Sequence, residues 1–87
     1  MINQSNPIEE TDSPVKALRL LLNLSQEDFA RLLGVGTRTV QRWEAGTSQP
    51  SFTVAQFRKL DASLKAAGWS LDVLPDDLRP GNKLQLG

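Results

Sequence analysis

The stretch TRTVQR, residues 37–42, sets two arginines, a glutamine and two threonines around a single valine. These side chains suit recognition better than bond-making. A guanidinium presents a planar fork of donors that engages two acceptors at once, or the oxygens of an anion. A glutamine amide offers a donor and an acceptor side by side, and a threonine hydroxyl can donate to one oxygen. Bond-making chemistry has little to draw on elsewhere. The chain contains no cysteine and no histidine. It therefore lacks thiolate ligands, disulfides and the commonest general base and metal ligand. It has no glycine-rich nucleotide loop, and Asp76-Asp77 reads as a solvated pair, not as a metal site. These absences argue against an enzyme, and neither a cofactor nor a metal is expected.

The formal net charge is zero, but its distribution is uneven. Residues 1–13 carry Glu9, Glu10 and Asp12 and no base. Residues 14–65 carry eight basic residues against four acidic ones. Residues 66–87 return to a slight negative excess through Asp72, Asp76 and Asp77. A basic middle flanked by acidic ends is compatible with an anionic partner for the middle alone.

Presenting TRTVQR to a partner requires a short helix that is held down on its other face. Val40 and Trp43 are three residues apart, so they share one side of such a helix. Gly34 and Gly46 bracket the segment, and Gly36 leaves room for a tight turn. Upstream, Ser13-Pro14 reads as an N-cap followed by proline at the first helical position. Val15, Leu18 and Leu22 follow at helical spacing, and Asn23 ends this first helix. Ser25 caps a second helix with Asp28 three residues on, and Phe29, Ala30 and Leu33 form its buried face. The third helix runs from Thr37 to Ala45. Ser51 is expected to cap a fourth, whose stripe comprises Phe52, Val54, Ala55, Phe57, Leu60 and Leu64 and which Ala67-Gly68 ends. The expected core is Leu18, Leu22, Phe29, Ala30, Leu33, Val40, Trp43, Phe57 and Leu60.

The ends are read differently. Residues 1–12 lack apolar periodicity and are expected to form a flexible acidic tail. The tail is unlike a signal peptide, and no apolar run approaches the roughly 20 residues of a membrane span. In WSLDVL, residues 69–74, Trp69, Leu71 and Val73 alternate with Ser70 and Asp72, which predicts a short strand. A lone strand leaves backbone groups unpaired. Its partner is either KLQL at 83–86 or a second copy of the chain. Residues 75–87 form a C-terminal tail, with a turn at Pro80-Gly81. The expected organisation is thus a tail (1–12), a helical domain (13–68), a strand (69–74) and a second tail (75–87).

Two short helices joined by a tight glycine-containing turn form a helix-turn-helix pattern. The stretch SQEDFARLLGVGTRTVQRWEAGTSQPS resembles the helix-turn-helix of the phage repressor and Cro (Xre) family. Gln26, Ala30 and Gly34 match, as do Val40, Trp43, Glu44, Gly46 and Pro50 of the V-x-x-W-E-x-G-x-x-x-P run. The resemblance covers roughly residues 14–64. It implies an all-α fold, a compact four-helix Cro/cI-like domain, to which this chain adds the short C-terminal β-strand. It also implies double-stranded DNA as partner, with the third helix in the major groove.

Carried over by position, Thr37, Arg38 and Arg42 are the expected base readers, with Gln41 as a further candidate. Arginine can read guanine and glutamine adenine. The helical spacing agrees, because burying Val40 and Trp43 turns these residues outward or to the flanks. The resemblance assigns Gln26, at the start of the second helix, to a backbone phosphate. Thr39, Thr47 and Ser48 are further phosphate candidates, fixing register without reading sequence. The family often pairs an arginine of the first helix with the glutamate after the aromatic position. Arg19 and Glu44 match, and a partly buried structural ion pair is expected.

The strand after the fourth helix resembles HipB-type antitoxins, in which strands of two protomers pair, and residues 15–50 resemble HigA-type antitoxins. The first functional expectation is a cytoplasmic, nucleoid-associated bacterial or phage transcriptional regulator, a homodimeric repressor of a pseudo-palindromic operator. In that reading Trp69, Leu71 and Val73 form the dimer strand. The alternative is an antitoxin that neutralises a toxin protein by direct binding and represses its own operon. Its tails, 1–12 and 75–87, would then be the toxin-binding segments.

Overall fold

The computed structural model describes residues 7–87. Helix α1 spans Pro7–Glu10, α2 Pro14–Leu21, α3 Gln26–Leu33, α4 Thr37–Ala45 and α5 Val54–Ala66, and one 3-10 turn follows at Leu71–Val73. Helices α2 to α5 correspond to the four expected from the sequence. The one-turn α1 lies in the acidic N-terminal segment, of which residues 1–6 fall outside the described residues.

Local chemistry fixes most boundaries. The Ser13 hydroxyl accepts from Lys16 N–H at 3.1 Å, and the Ser25 hydroxyl accepts from Asp28 N–H at 3.0 Å. Each satisfies an amide that the first turn leaves without a helical partner. At the start of α5 the cap is Thr53, not Ser51. Its side chain accepts from Gln56 N–H, and the Gln56 side chain answers by accepting from Thr53 N–H at 2.8 Å. This reciprocal box outcompetes a lone serine. Starting the helix two residues later leaves Val54 67% exposed, outside the apolar stripe expected of it. Gly34 and Gly46 close α3 and α4 with φ of 71° and 80°, where a side chain would be strained.

The core gathers Val15 and Leu18 of α2, Phe29, Ala30 and Leu33 of α3, Val40 and Trp43 of α4, Leu60 and Leu64 of α5, and Val73. Leu22 and Phe57 pack against this cluster but are only partly buried. Phe52 links the two levels, edge-on to Trp43 at 5.2 Å and to Phe57 at 5.3 Å. Helix α4 depends on this packing. Its nine residues fall short of the roughly 12–15 that an isolated helix needs, and its threonines and valine are weak helix formers. Burying Val40 and Trp43, at about 1.5–3 kcal/mol for each fully buried large side chain, is what holds it helical.

The expected β-strand at 69–74 does not form, and among the described residues there is no strand. After Gly68, Trp69 N–H turns back to Leu64 C=O at 2.7 Å. The Ser70 hydroxyl then accepts from Asp72 N–H at 3.3 Å, and Val73 N–H reaches Ser70 C=O at 3.2 Å. Serine at the head of the segment offers the backbone a local partner, so no second strand is needed. Trp69, Leu71 and Val73 are therefore not a dimer strand. Val73 is buried in the core of its own chain, and Trp69 and Leu71 pack against that core. The stretch KLQL touches the segment through one backbone bond, Gln85 N–H to Val73 C=O at 2.7 Å, with no ladder.

The two ends of the described chain hold each other. Lys83 Nζ donates to the carbonyls of Glu9 and Thr11 at 2.9 and 3.1 Å and lies 3.3 Å from the Asp12 carboxylate. Gly81 N–H donates to Asp12 C=O at 2.7 Å. A lysine is suited to this position, because the last carbonyls of a helix lack intrahelical donors.

Candidate functional site

Helices α3 and α4 and the turn between them carry the residues that the sequence singles out. Val35 N–H bonds to Ala30 C=O at 3.0 Å as the chain leaves α3 through left-handed Gly34. Gly36 then serves as the N-cap of α4 without a side-chain cap bond, and a Cβ there would meet nothing within 4 Å. The start of α4 is consequently open to an approaching surface. Val40 and Trp43 point into the core, which turns Arg38, Gln41 and Arg42 to solvent, while Thr37 and Thr39 lie half-buried at the flanks.

Arg38, Gln41, Arg42, Ala45 and Thr47 line one open concavity of about 390 Å³. The Arg38 and Arg42 side chains have no hydrogen-bond or ion-pair partner among the described residues. The Lys16, Arg58 and Lys59 side chains also have none, whereas Arg31 pairs with Asp28 at 2.9 Å, Lys65 with Asp61 at 3.0 Å, and Arg79 with Asp77. Two unneutralised guanidinium groups on one short helix make this face electropositive and leave its donors available. The Thr47 hydroxyl donates to Arg42 C=O at 3.3 Å, so its hydrogen is already used, whereas Ser48 is exposed.

Behind this face lies a polar network. Arg19 Nε and Nη2 donate to the two carboxylate oxygens of Glu44 at 2.8 and 3.1 Å, and Arg19 Nη1 donates to Leu24 C=O at 3.0 Å. The two side chains are 11% and 7% exposed. Arg19 thereby ties α2 to both α4 and the α2–α3 connection. Gln26, the first residue of α3, donates from Nε2 to Glu44 Oε1 at 3.1 Å, and Gln41 Nε2 lies 3.5 Å from Gln26 Oε1. These glutamine contacts were not foreseen from the sequence. Three residues separated by 15 and 18 positions meet only because α3 packs on α4.

A second unforeseen neighbour is Pro80. A Cβ on Gly46 would stand 3.1 Å from Pro80 Cγ, so the C-terminal segment runs against the end of α4. Next to it, Asp76, Asp77, Leu78 and Arg79 face Gln49 and Pro50 across a concavity of about 310 Å³. The Arg79 side chain bonded to Asp77 lowers that carboxyl to a pKa of about 2. Asp77 is thus engaged by a cation of its own chain.

The sequence model of the helix-turn-helix family matches residues 15–57. No curated protein and no solved structure matches the chain significantly. The match covers α2, α3, α4 and the first turn of α5, and so includes every residue of the network and of the open face except Pro80 and its neighbours.

Proposed function

Residues 15–57 belong to the Cro/cI-type helix-turn-helix family of DNA-binding regulators, and from that premise we propose that this protein is a sequence-specific transcriptional repressor. It binds its operator as a twofold dimer, with α4 in the major groove. Arg38 and Arg42 read base edges there, with Thr37 and Gln41 beside them. Gln26, Thr39 and Ser48 approach the phosphates and set the register, whereas Thr47, whose hydroxyl and amide both donate to the Arg42 carbonyl, is left out of that set. The observation that carries this reading is the exposed face of α4, where Arg38 and Arg42 stand unpaired beside Gln41 while Val40, Trp43 and Glu44 anchor the opposite side. Guanidinium groups left without carboxylate partners suit guanine edges, which present two acceptors in the major groove.

Twofold symmetry is part of the proposal because a single short recognition helix spans few base pairs. A dimer doubles the contacts and reads two half-sites about 34 Å apart, or a multiple of that. The test is a binding titration against operator and random duplexes at several salt concentrations, with wild type and R38A/R42A. We expect wild type to prefer operator and its log affinity to fall linearly with log salt. R38A/R42A should remain folded and lose most of the preference. Equal binding of operator by the double variant at the same salt would remove Arg38 and Arg42 from the proposed role.

A further inference from the structure

The Arg19–Glu44 ion pair lies directly behind the exposed face, and its carboxylate is linked to that face through two glutamines. We infer that this ion pair is a positioning element for sequence reading: through Gln26 it fixes the orientation of the Gln41 amide, and so makes Gln41 a reader of adenine. The inference rests on the DNA-binding reading above and adds to it the base that Gln41 takes and the buried group that sets it.

The polarity of the hydrogen bonds fixes how each amide is turned. Glu44, paired with Arg19, is ionised and can only accept. The end of the Gln26 side chain that faces it, 3.1 Å from Oε1, must therefore be the NH2 group. A flipped Gln26 would set its carbonyl oxygen against a carboxylate oxygen, two acceptors with no proton between them. The bond to the carboxylate is charge-assisted and stronger than a neutral one, so the ion sets the glutamine and not the reverse. With its NH2 turned inward, Gln26 presents Oε1 toward the exposed face. That oxygen too can only accept, so Gln41 must turn an N–H toward it, across a long contact of 3.5 Å. The chain Arg19, Glu44, Gln26, Gln41 thus alternates donor and acceptor from the ion pair out to the exposed face.

The result is a defined edge on an exposed side chain. One N–H of Gln41 is directed at Gln26, which leaves the other N–H and the carbonyl oxygen facing out. An N–H beside a C=O complements adenine, whose major-groove edge offers an N7 acceptor beside an N6 donor. Guanine offers two acceptors there and matches that edge less well. Without Gln26 the amide could rotate by half a turn and present its groups in either order, and the preference would weaken.

The experiment measures relative affinities for operator duplexes that differ at the base pair assigned to Gln41, at one salt concentration. That base pair is located as the one whose preference is lost in Q41A. The informative variants are Q26M, which keeps the ion pair, and R19M/E44M, which removes both charges together so that neither is stranded. We expect wild type to prefer adenine at that position by about 5- to 150-fold, the range of one bidentate pair. Q26M and R19M/E44M should each lose most of that factor and keep the preferences at the other positions. In the Q41A background, neither change should alter discrimination at that base pair. Retention of the full adenine preference in Q26M or in R19M/E44M, whether or not affinity falls uniformly with the loss of the Gln26 phosphate contact, would overturn the inference and leave the DNA-binding reading standing. Failure of wild type to prefer any sequence would overturn both.

Discussion

Replacing Glu44 by alanine should be the most damaging single polar substitution in this domain. The change removes both carboxylate acceptors of Arg19, at 2.8 and 3.1 Å, and the acceptor of Gln26 at 3.1 Å. Arg19 keeps only the Leu24 carbonyl at 3.0 Å, and its side chain is 11% exposed, too little for water to replace the carboxylate without structural opening. Stranding one member of a buried pair costs about 3–5 kcal/mol. A domain of this length has a total stability of roughly 4–13 kcal/mol, so the loss is a large share of it. Urea unfolding, followed by Trp43 and Trp69 fluorescence, should show a clear drop in midpoint and a fall in Tm of at least about 12 °C. R19M/E44M should be nearer to wild type than either single variant, because removing both charges leaves nothing unpaired. A cost below about 1 kcal/mol for E44A, typical of an exposed pair, would refute the claim that this ion pair anchors α4.

Gly46→Ala should cost about 1–2 kcal/mol, from the left-handed backbone at φ 80° alone, with the Pro80 contact adding to it, and thermal unfolding will show it. Val73→Ala should destabilise the monomeric fold by roughly 1–3 kcal/mol in chemical unfolding, since Val73 lies in the core, and leave self-association unchanged by sedimentation. Lys83→Ala should shift global stability by less than about 1 kcal/mol yet speed hydrogen exchange at the Gly81 amide, which is bonded to Asp12. The Asp77 carboxyl is held down by Arg79, so its contribution to the folded state is present above the ordinary carboxylate range and is lost as pH falls through about 2; an NMR titration of Asp77 should follow that course, and R79A should return it to about 3.8.

The helical part of the fold is legible because its signals are local and agree with one another. Ser13 and Ser25 cap where their spacing indicates, and Gly34 and Gly46 stop helices where a left-handed residue is needed. The misreadings have one cause, which is competition between alternatives of similar local quality. Ser51 and Thr53 both suit an N-cap, and the reciprocal bond with Gln56 decides between them. WSLDVL alternates like a strand, but three apolar residues beside a turn-forming serine pack equally well on the side of α5, and tertiary contact chooses. Of the site, the separation of TRTVQR into a buried and an exposed side follows from Val40 and Trp43 alone. The link from Glu44 through Gln26 to Gln41 could not be read, because hydrogen bonds between helices depend on how α3 crosses α4, and no residue spacing encodes that.

Selection of bound duplexes from a random pool, run in parallel with wild type and R38A/R42A at one salt concentration, decides whether α4 reads DNA sequence. The proposed role of α4 requires that wild type enrich one motif of two inverted half-sites, with centres about 34 Å apart or a multiple of that. It requires that folded R38A/R42A lose the enrichment at the base pairs those arginines read. Enrichment of no motif by wild type, or of the same motif at the same strength by R38A/R42A, would contradict it.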